Sequence, residues 1–398
     1  MNKTSHMISK RIVQTLTMSL LLVFVFACKK GKREWDMSSV DKDPVIDLNE
    51  GDPSFSYIFR QRFEGYACYR IPALVRAKDG TLIAFAEARR NSCSDIGDID
   101  LVMKRSKDDG KTWGPLEKIW DDGANTCGNP APVLDETTGE IHLLMTWNFG
   151  TDGIGDINKG TSQDTRRVYI SSSKDNGATW SAAKEITSTT KKPEWGWYAT
   201  GPCHGIQLKQ GPQAGRLIIP CDFIEKGTGG RSFSHVIYSD DHGATWQIGG
   251  ISPLDKANES SVAELSDGKL MLNMRHSGKV RYVATSDDYG ITWKNMKTDP
   301  KLPDPVCQGS LLSANVNSKH TLFFSNPASS DRREKMTIKM SEDDGANWAK
   351  KFEVYSGPAA YSDLIMMNGP EVGILYESGA SSPYTGISFK TVPLTEFK

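Results

Sequence analysis

Gly110-Lys111-Thr112 is the first candidate for chemistry in this 398-residue chain, because a phosphate-cradling loop ends in that tripeptide. Such a loop needs another glycine five positions earlier, where Arg105 stands, so phosphate binding is not expected. Seven histidines offer zinc chemistry, but none forms the His-Glu-x-x-His pattern that sets two imidazoles on one helix face. Asp95, Asp98 and Asp100 suggest a calcium loop and lack its central glycine and distal glutamate. No metal or other cofactor is therefore expected. Six cysteines, Cys68, Cys93, Cys127, Cys203, Cys221 and Cys307, form no CxxC pair, which leaves buried free thiols and one or two bridges both open.

The elements that must position any site are written as a repeat. Ser-x-Asp-x-Gly-x-Thr/Asn-Trp occurs five times, at 106–113, 173–180, 239–246, 286–293 and 341–348. Each copy reads as a hairpin: the Asp accepts from turn N–H groups, the Gly supplies positive φ, and the Trp returns to pack over the next strand. The copies start 67, 66, 47 and 55 residues apart, a spacing that suits a four-stranded antiparallel sheet with its loops. Strand-like runs flank them, among them Leu82-Ile-Ala-Phe-Ala86, Ile141-His-Leu-Leu-Met145, Val168-Tyr-Ile170 and Val280-Arg-Tyr-Val-Ala284. The stretch from 55 to 398 holds about six such units, so the expected fold is all-β, a six-bladed β-propeller with one blade lacking the signature.

Residues 1–27 stand outside that fold. Lys3, Lys10 and Arg11 precede an apolar run from Met18 to Ala27, the anatomy of a secretory signal and too short for a comfortable bilayer span. Val25-Phe26-Ala27-Cys28 resembles the bacterial lipoprotein signal, although Phe26 replaces the commoner small residue. The expectation is an exported, membrane-anchored lipoprotein at the periplasm or cell surface, with lipid on Cys28 and a polar tether through residue 54; ordinary secretion and an uncleaved anchor are the alternatives. Export would permit disulfides. The charge balance, 48 basic against 49 acidic residues, gives no electrostatic footprint for nucleic acid.

Tyr69-Arg70-Ile71-Pro72, placed ahead of the first repeat, completes a pattern that resembles the sialidase (neuraminidase) family, whose members carry an arginine motif of this form followed by Asp-box repeats. The resemblance spans about residue 60 to 398. It implies three arginines holding the substrate carboxylate: Arg70, Arg275 in Met-Asn-Met-Arg275, and Arg332 or Arg333, with spacing to the following strand favouring Arg333. Planar guanidinium forks suit that task because they bind a carboxylate bidentately. Glu377 matches the residue that orients the first arginine, and Arg89 resembles a further arginine lining the pocket.

The same resemblance implies Tyr361 as nucleophile, Glu259 as its general base and Asp95 as acid/base. A neutral phenol answers a physical problem, since a carboxylate nucleophile would approach the anomeric carbon against the charge of the substrate's own carboxylate. The stretch Trp195-Gly-Trp-Tyr198 is divided between contact with acyl or glycerol substituents and a place in the core, and Cys307-Gln308-Gly309-Ser310 is equally ambiguous. The implied function is a retaining exo-α-sialidase acting on sialylated glycoproteins, glycolipids or oligosaccharides; trans-sialidases and intramolecular sialidases would share these residues, and a silent glycan-binding propeller is the rival from another class.

Overall fold

Strands such as Leu82–Arg89 and Ile141–Asn148 carry runs of apolar residues, and every one of their residues is buried. Continuous runs of this kind belong to strands covered on both faces. Others, such as Lys294–Pro303 with its exposed Lys294, Lys297 and Lys301, are polar and lie at sheet edges, where charge discourages edge-to-edge pairing. The computed structural model describes residues 55–398 and is built of antiparallel groups that run from buried first strands to solvated fourth strands. The leader, Cys28 and the tether lie outside the described residues.

The ladders form four sheets, of eight, seven, five and four strands, within which the chain runs through successive four-stranded antiparallel groups. The first comprises Cys68–Arg76, Leu82–Arg89, Ile99–Ser106 and Glu117–Trp120, and the second Thr126–Leu134, Ile141–Asn148, Arg167–Ser173 and Lys184–Glu185. The third is Trp195–Thr200, Leu217–Glu225, Ser232–Ser239 and Gln247–Ile251, with Ile206–Gln207 added beside its second strand. Ala257–Glu264, Leu270–His276, Val280–Ser286 and Lys294–Pro303 make the fourth. Ser310–Val316, Lys319–Pro327 and Glu334–Ser341 pair in turn and end on the first half of the long strand Lys350–Met366. Its second half opens the sixth group, which continues through Glu371–Ser378 and Gly386–Pro393 and takes its outer strand, Tyr57–Arg60, from the start of the described chain.

Six of the hydrophobic clusters are each shared by two neighbouring groups. Ile83 and Phe85 of the first pack with Leu143 of the second, Leu144 of the second with Ile219 of the third, and Ile218 of the third with Leu272 of the fourth. Leu322 then joins the fourth to the fifth, Ile338 meets Ile374 of the sixth, and Leu375 returns to Leu74 and Leu82 of the first.

The five repeats occupy the hairpins between third and fourth strands of the first five groups. In the second copy Asp175 accepts from Ser173 Oγ at 2.9 Å, Thr179 N at 2.8 Å and Thr179 Oγ1 at 2.6 Å, while Ser173 Oγ accepts from Gly177 N at 2.8 Å. Asn176 and Gly177 both have positive φ, the conformation that glycine tolerates without strain. The tryptophans correct the sequence expectation: they lie against the preceding group rather than over their own next strand. Trp180 meets Phe85 edge-on, Trp113 meets Phe389, and Trp293 Nε1 donates to Gly250 O. The sixth group has no hairpin at the equivalent place because its third and fourth strands are opposite ends of the described chain.

Candidate active site

First strands bulge where they approach one end of the groups, and the bulges deliver the site. Register shifts occur between Arg70 and Ala73, between Gly128 and Ala131, between Ala257 and Ser260, and between Ala359 and Ser362. A bulge adds a residue and re-aims its neighbours, here Arg70, Asn129, Glu259 and Tyr361. Arg89 and Arg275 come from the ends of second strands. Antiparallel order places those ends beside the starts of first strands and opposite the Asp-box hairpins, which follow third strands.

Ile71 records the local cost. It is β-branched with φ of 61°, a conformation costing about 1–3 kcal/mol that the surroundings must enforce. They do so through Glu377, fully buried, which accepts from Arg70 Nε at 2.7 Å, Arg70 Nη2 at 3.2 Å, Ile71 N at 2.9 Å and Tyr361 N at 3.1 Å. Burial pulls the Arg70 guanidinium towards neutrality, and Glu377 more than offsets it. One carboxylate thus fixes an arginine and the backbone of the tyrosine together.

Three guanidinium groups surround that tyrosine. Arg70 Cζ lies 5.1 Å and Arg333 Cζ 5.6 Å from the Tyr361 ring centroid, and Arg275 Nη1 donates to the Tyr361 hydroxyl at 2.9 Å. Tyr361 OH donates to Glu259 Oε1 at 2.6 Å, while Arg275 Nη1 bonds Glu259 Oε2 at 2.6 Å. Burial raises the phenol well above its ordinary range and Glu259 adds to that, against the opposing pull of Arg275 and Arg70. The phenol is therefore neutral at ordinary pH. Arg333 is held by Tyr384 OH and Val306 O, both at 3.0 Å. Arg332 is exposed, with its backbone N–H on Ser329 Oγ.

Asp95 sits on the loop after Arg89, with a solvent-facing carboxyl that pairs with Arg89 Nη1 at 2.7 Å and reaches Arg70 Nη1 at 3.9 Å. Desolvation in the cleft pushes its titration up, but Arg89 and then Arg70 pull harder and hold it below the usual carboxylate range. Glu87 braces Arg89 through contacts of 2.6 and 3.1 Å. The single disulfide among the described residues, Cys68–Cys93, ties this loop to the strand that carries Arg70, while Cys127, Cys203, Cys221 and Cys307 are buried free thiols.

All eight expected residues, Arg70, Arg89, Asp95, Glu259, Arg275, Arg333, Tyr361 and Glu377, thus join one contact network, most of it lining a cleft of roughly 610 Å³. The aromatic stretch divides: Trp195 stacks on Phe223 with centroids 3.8 Å apart and Tyr198 is fully buried, whereas Trp197 lines the cleft. Cys307 packs with Tyr361 in an apolar cluster, and Gln308 braces Ser362, so this segment supports the residues around the nucleophile candidate.

Two cleft residues escape sequence reasoning. Arg166 stacks over Trp197 at 3.8 Å, bonds Thr146 and Asn129, and leaves Nη1 buried without a partner; burial pulls its titration down to about 10. Asp222 is buried with Oδ1 unpartnered, and burial followed by Glu259 raises it well above the carboxylate range. Asp222 and the spare Arg166 N–H add polar groups to the lining of the cleft. Nothing in their flanking sequence marks them, since Arg166 belongs to an ordinary Arg-Arg pair before a strand.

Residues 80–374 match the BNR repeat-like domain family. An exo-alpha-sialidase of Aspergillus fumigatus is 33% identical over 353 residues, 81% of each chain. A sialidase of Bacteroides fragilis is 32% identical over 355 residues, covering 83% of this chain and 63% of its own. The solved structure of a Hadza microbial sialidase superposes with a TM-score of 0.76 at 35% identity, over 83% of this chain and 67% of that one. This chain therefore spans somewhat less than two thirds of the Bacteroides fragilis relative it matches. The domain match, the relatives at about a third identity and the arginine-ringed tyrosine agree, and the chain belongs to the BNR-repeat sialidases, a family of glycoside hydrolases.

Proposed function

We propose that the protein is a retaining exo-α-sialidase that removes terminal sialic acid from glycoproteins, glycolipids or oligosaccharides through a tyrosyl-enzyme intermediate. The observation that carries this reading is the contact of Tyr361 with Glu259 inside a ring of three arginines. Arg70, Arg275 and Arg333 bind the substrate carboxylate and set the anomeric carbon over the phenol. Tyr361 passes its proton to Glu259 and its oxygen bonds to that carbon. The glycosidic oxygen leaves with a proton from Asp95. Water then gives a proton to Asp95 and attacks the same carbon, and the departing phenolate recovers its proton from Glu259. Arg89 keeps Asp95 at the mouth, where a leaving group would stand.

The strand groups are read as the blades of a closed six-bladed β-propeller. Core sharing that runs from each group to the next and from sixth to first supports closure. So does a second cavity, at the Asp-box end, lined by first-strand residues Leu74, Leu134, Glu264, Leu312 and Leu364 together with Ile206 of the third group. The leader and Cys28 remain the basis for proposing lipid anchoring at the periplasm or cell surface; incorporation of labelled fatty acid that Cys28→Ala fails to abolish would refute it.

The test of function is incubation of the purified protein with a fluorogenic sialoside and identification of the sugar product. Free sialic acid supports hydrolysis. A cyclised sugar, or sialic acid moved to an added acceptor, would reassign the enzyme to intramolecular or transfer chemistry, and no release at all would leave a glycan-binding propeller.

A further inference from the structure

Two residues beyond Tyr361, a carboxyl group lies fully buried among the inner strands. Asp363 has no exposed surface, and its two oxygens accept five hydrogen bonds. Oδ2 accepts from Leu74 N at 2.9 Å and His204 N at 3.0 Å; Oδ1 accepts from His204 Nδ1 at 2.7 Å, Ser310 Oγ at 2.8 Å and Leu364 N at 3.0 Å. These donors come from four groups: Leu74 from the strand of Arg70, His204 from the segment after Trp197, Ser310 from the strand following Val306 and Cys307, and Leu364 from the strand of Tyr361.

The arrangement ties the strands of Arg70 and Tyr361 at two levels. Glu377 joins them above, through Ile71 N and Tyr361 N. Asp363 joins them below, through Leu74 N, immediately past the bulge that aims Arg70. Between the two ties lies the bulge from Ala359 to Ser362 that presents Tyr361. A bulged segment has lost regular ladder bonds, so its direction depends on what holds its ends. Catalytic geometry tolerates little error, and a misplacement of about 1 Å can cost on the order of 100-fold.

We propose that Asp363, with His204, is a positioning residue that holds the Tyr361 phenol in line with the anomeric carbon by clamping three inner strands and the segment after Trp197 together. The proposal rests on Tyr361 being the nucleophile. Asp363→Asn turns an amide donor towards groups that already donate. His204→Ala removes the donor to Oδ1, and His204→Asn restores it, since the amide nitrogen of asparagine stands where Nδ1 stood. Positioning therefore predicts a graded pattern, with the asparagine at 204 closer to the parent than the alanine.

The experiment measures kcat per active site, with sites counted by covalent trapping with a fluorinated sialosyl donor, so that unfolded protein does not enter. Expected are a fall in kcat of about 100-fold for Asp363→Asn and about tenfold for His204→Ala, substantial recovery in His204→Asn, and inhibition by free sialic acid within about twofold of the parent in all three. If Asp363→Asn does not fold, the pair at 204 decides. Parental kcat per site in His204→Ala, or no recovery in His204→Asn, overturns the proposal. Failure of the parent itself to be labelled at Tyr361 would instead defeat the reading of the nucleophile.

Discussion

Tyr361 and Glu259 stand 102 positions apart in the chain and meet at 2.6 Å, hydroxyl to carboxylate, with one Arg275 nitrogen bonded to both. The contact solves two electrostatic problems together. Burial keeps the phenol protonated, so in the proposed mechanism no second negative charge would meet a substrate carboxylate. In the proposed mechanism Glu259 would take that proton as the anomeric carbon arrives, with one Arg275 nitrogen bonded to both partners.

Arg333 and Arg332 separate the ring of arginines from its neighbour. Arg333→Ala removes a fork that faces the Tyr361 ring and should cost sialoside turnover roughly 2 to 5 kcal/mol in kcat/KM, whereas Arg332→Ala should stay near the parent. Equal losses in the two variants would show that the arginine ring is wrongly composed.

The pH dependence should follow Asp95. Its carboxyl is held below the usual range by Arg89 and Arg70, yet the acid step needs it protonated, so kcat/KM on natural sialosides should fall as pH rises and the acid loses its proton. Arg89→Gln removes the larger of the two opposing charges. Asp95 should then hold its proton to higher pH, and the falling limb of the profile should move towards alkali. A shift towards acid, or none, contradicts the role given to this pair.

Asp boxes predict where acid unfolds the fold. Hydrogen bonds from Thr179 and Ser173 lower Asp175 from 3.8 to about 2, and Asp108 is lowered likewise to about 2. A carboxyl depressed by folding stabilises fully above its unfolded value and loses that contribution as pH falls through the folded one. Melting temperature should therefore drop between about pH 4 and pH 2. Asp175→Asn should flatten part of that drop while leaving the pH profile of turnover unchanged, as measured by scanning calorimetry and kinetics on one sample.

The legibility of the site in the sequence had a clear physical limit. Arg70, Glu259, Arg275, Tyr361 and Glu377 lie in short motifs whose local residues also build the bulge or strand end that presents them, so their grouping was readable from family resemblance. The Asp boxes made the antiparallel, all-β organisation legible because each is a self-contained turn. Trp195 and Tyr198 resisted because a bulge between them breaks the alternation that would have told core from cleft. Arg166, Asp222, Asp363 and the Cys68–Cys93 bridge acquire meaning only from partners in other strands, which no local pattern encodes.

The central claim is that Tyr361 forms a bond to the sugar. Trapping the enzyme with a fluorinated sialosyl donor, followed by proteolysis and mass spectrometry, should add one fluorosialosyl mass to a peptide containing Tyr361, and Tyr361→Phe should abolish the label while still binding sialic acid in the arginine ring. A label reproducibly located on Glu259, Asp95 or any other residue would contradict the account.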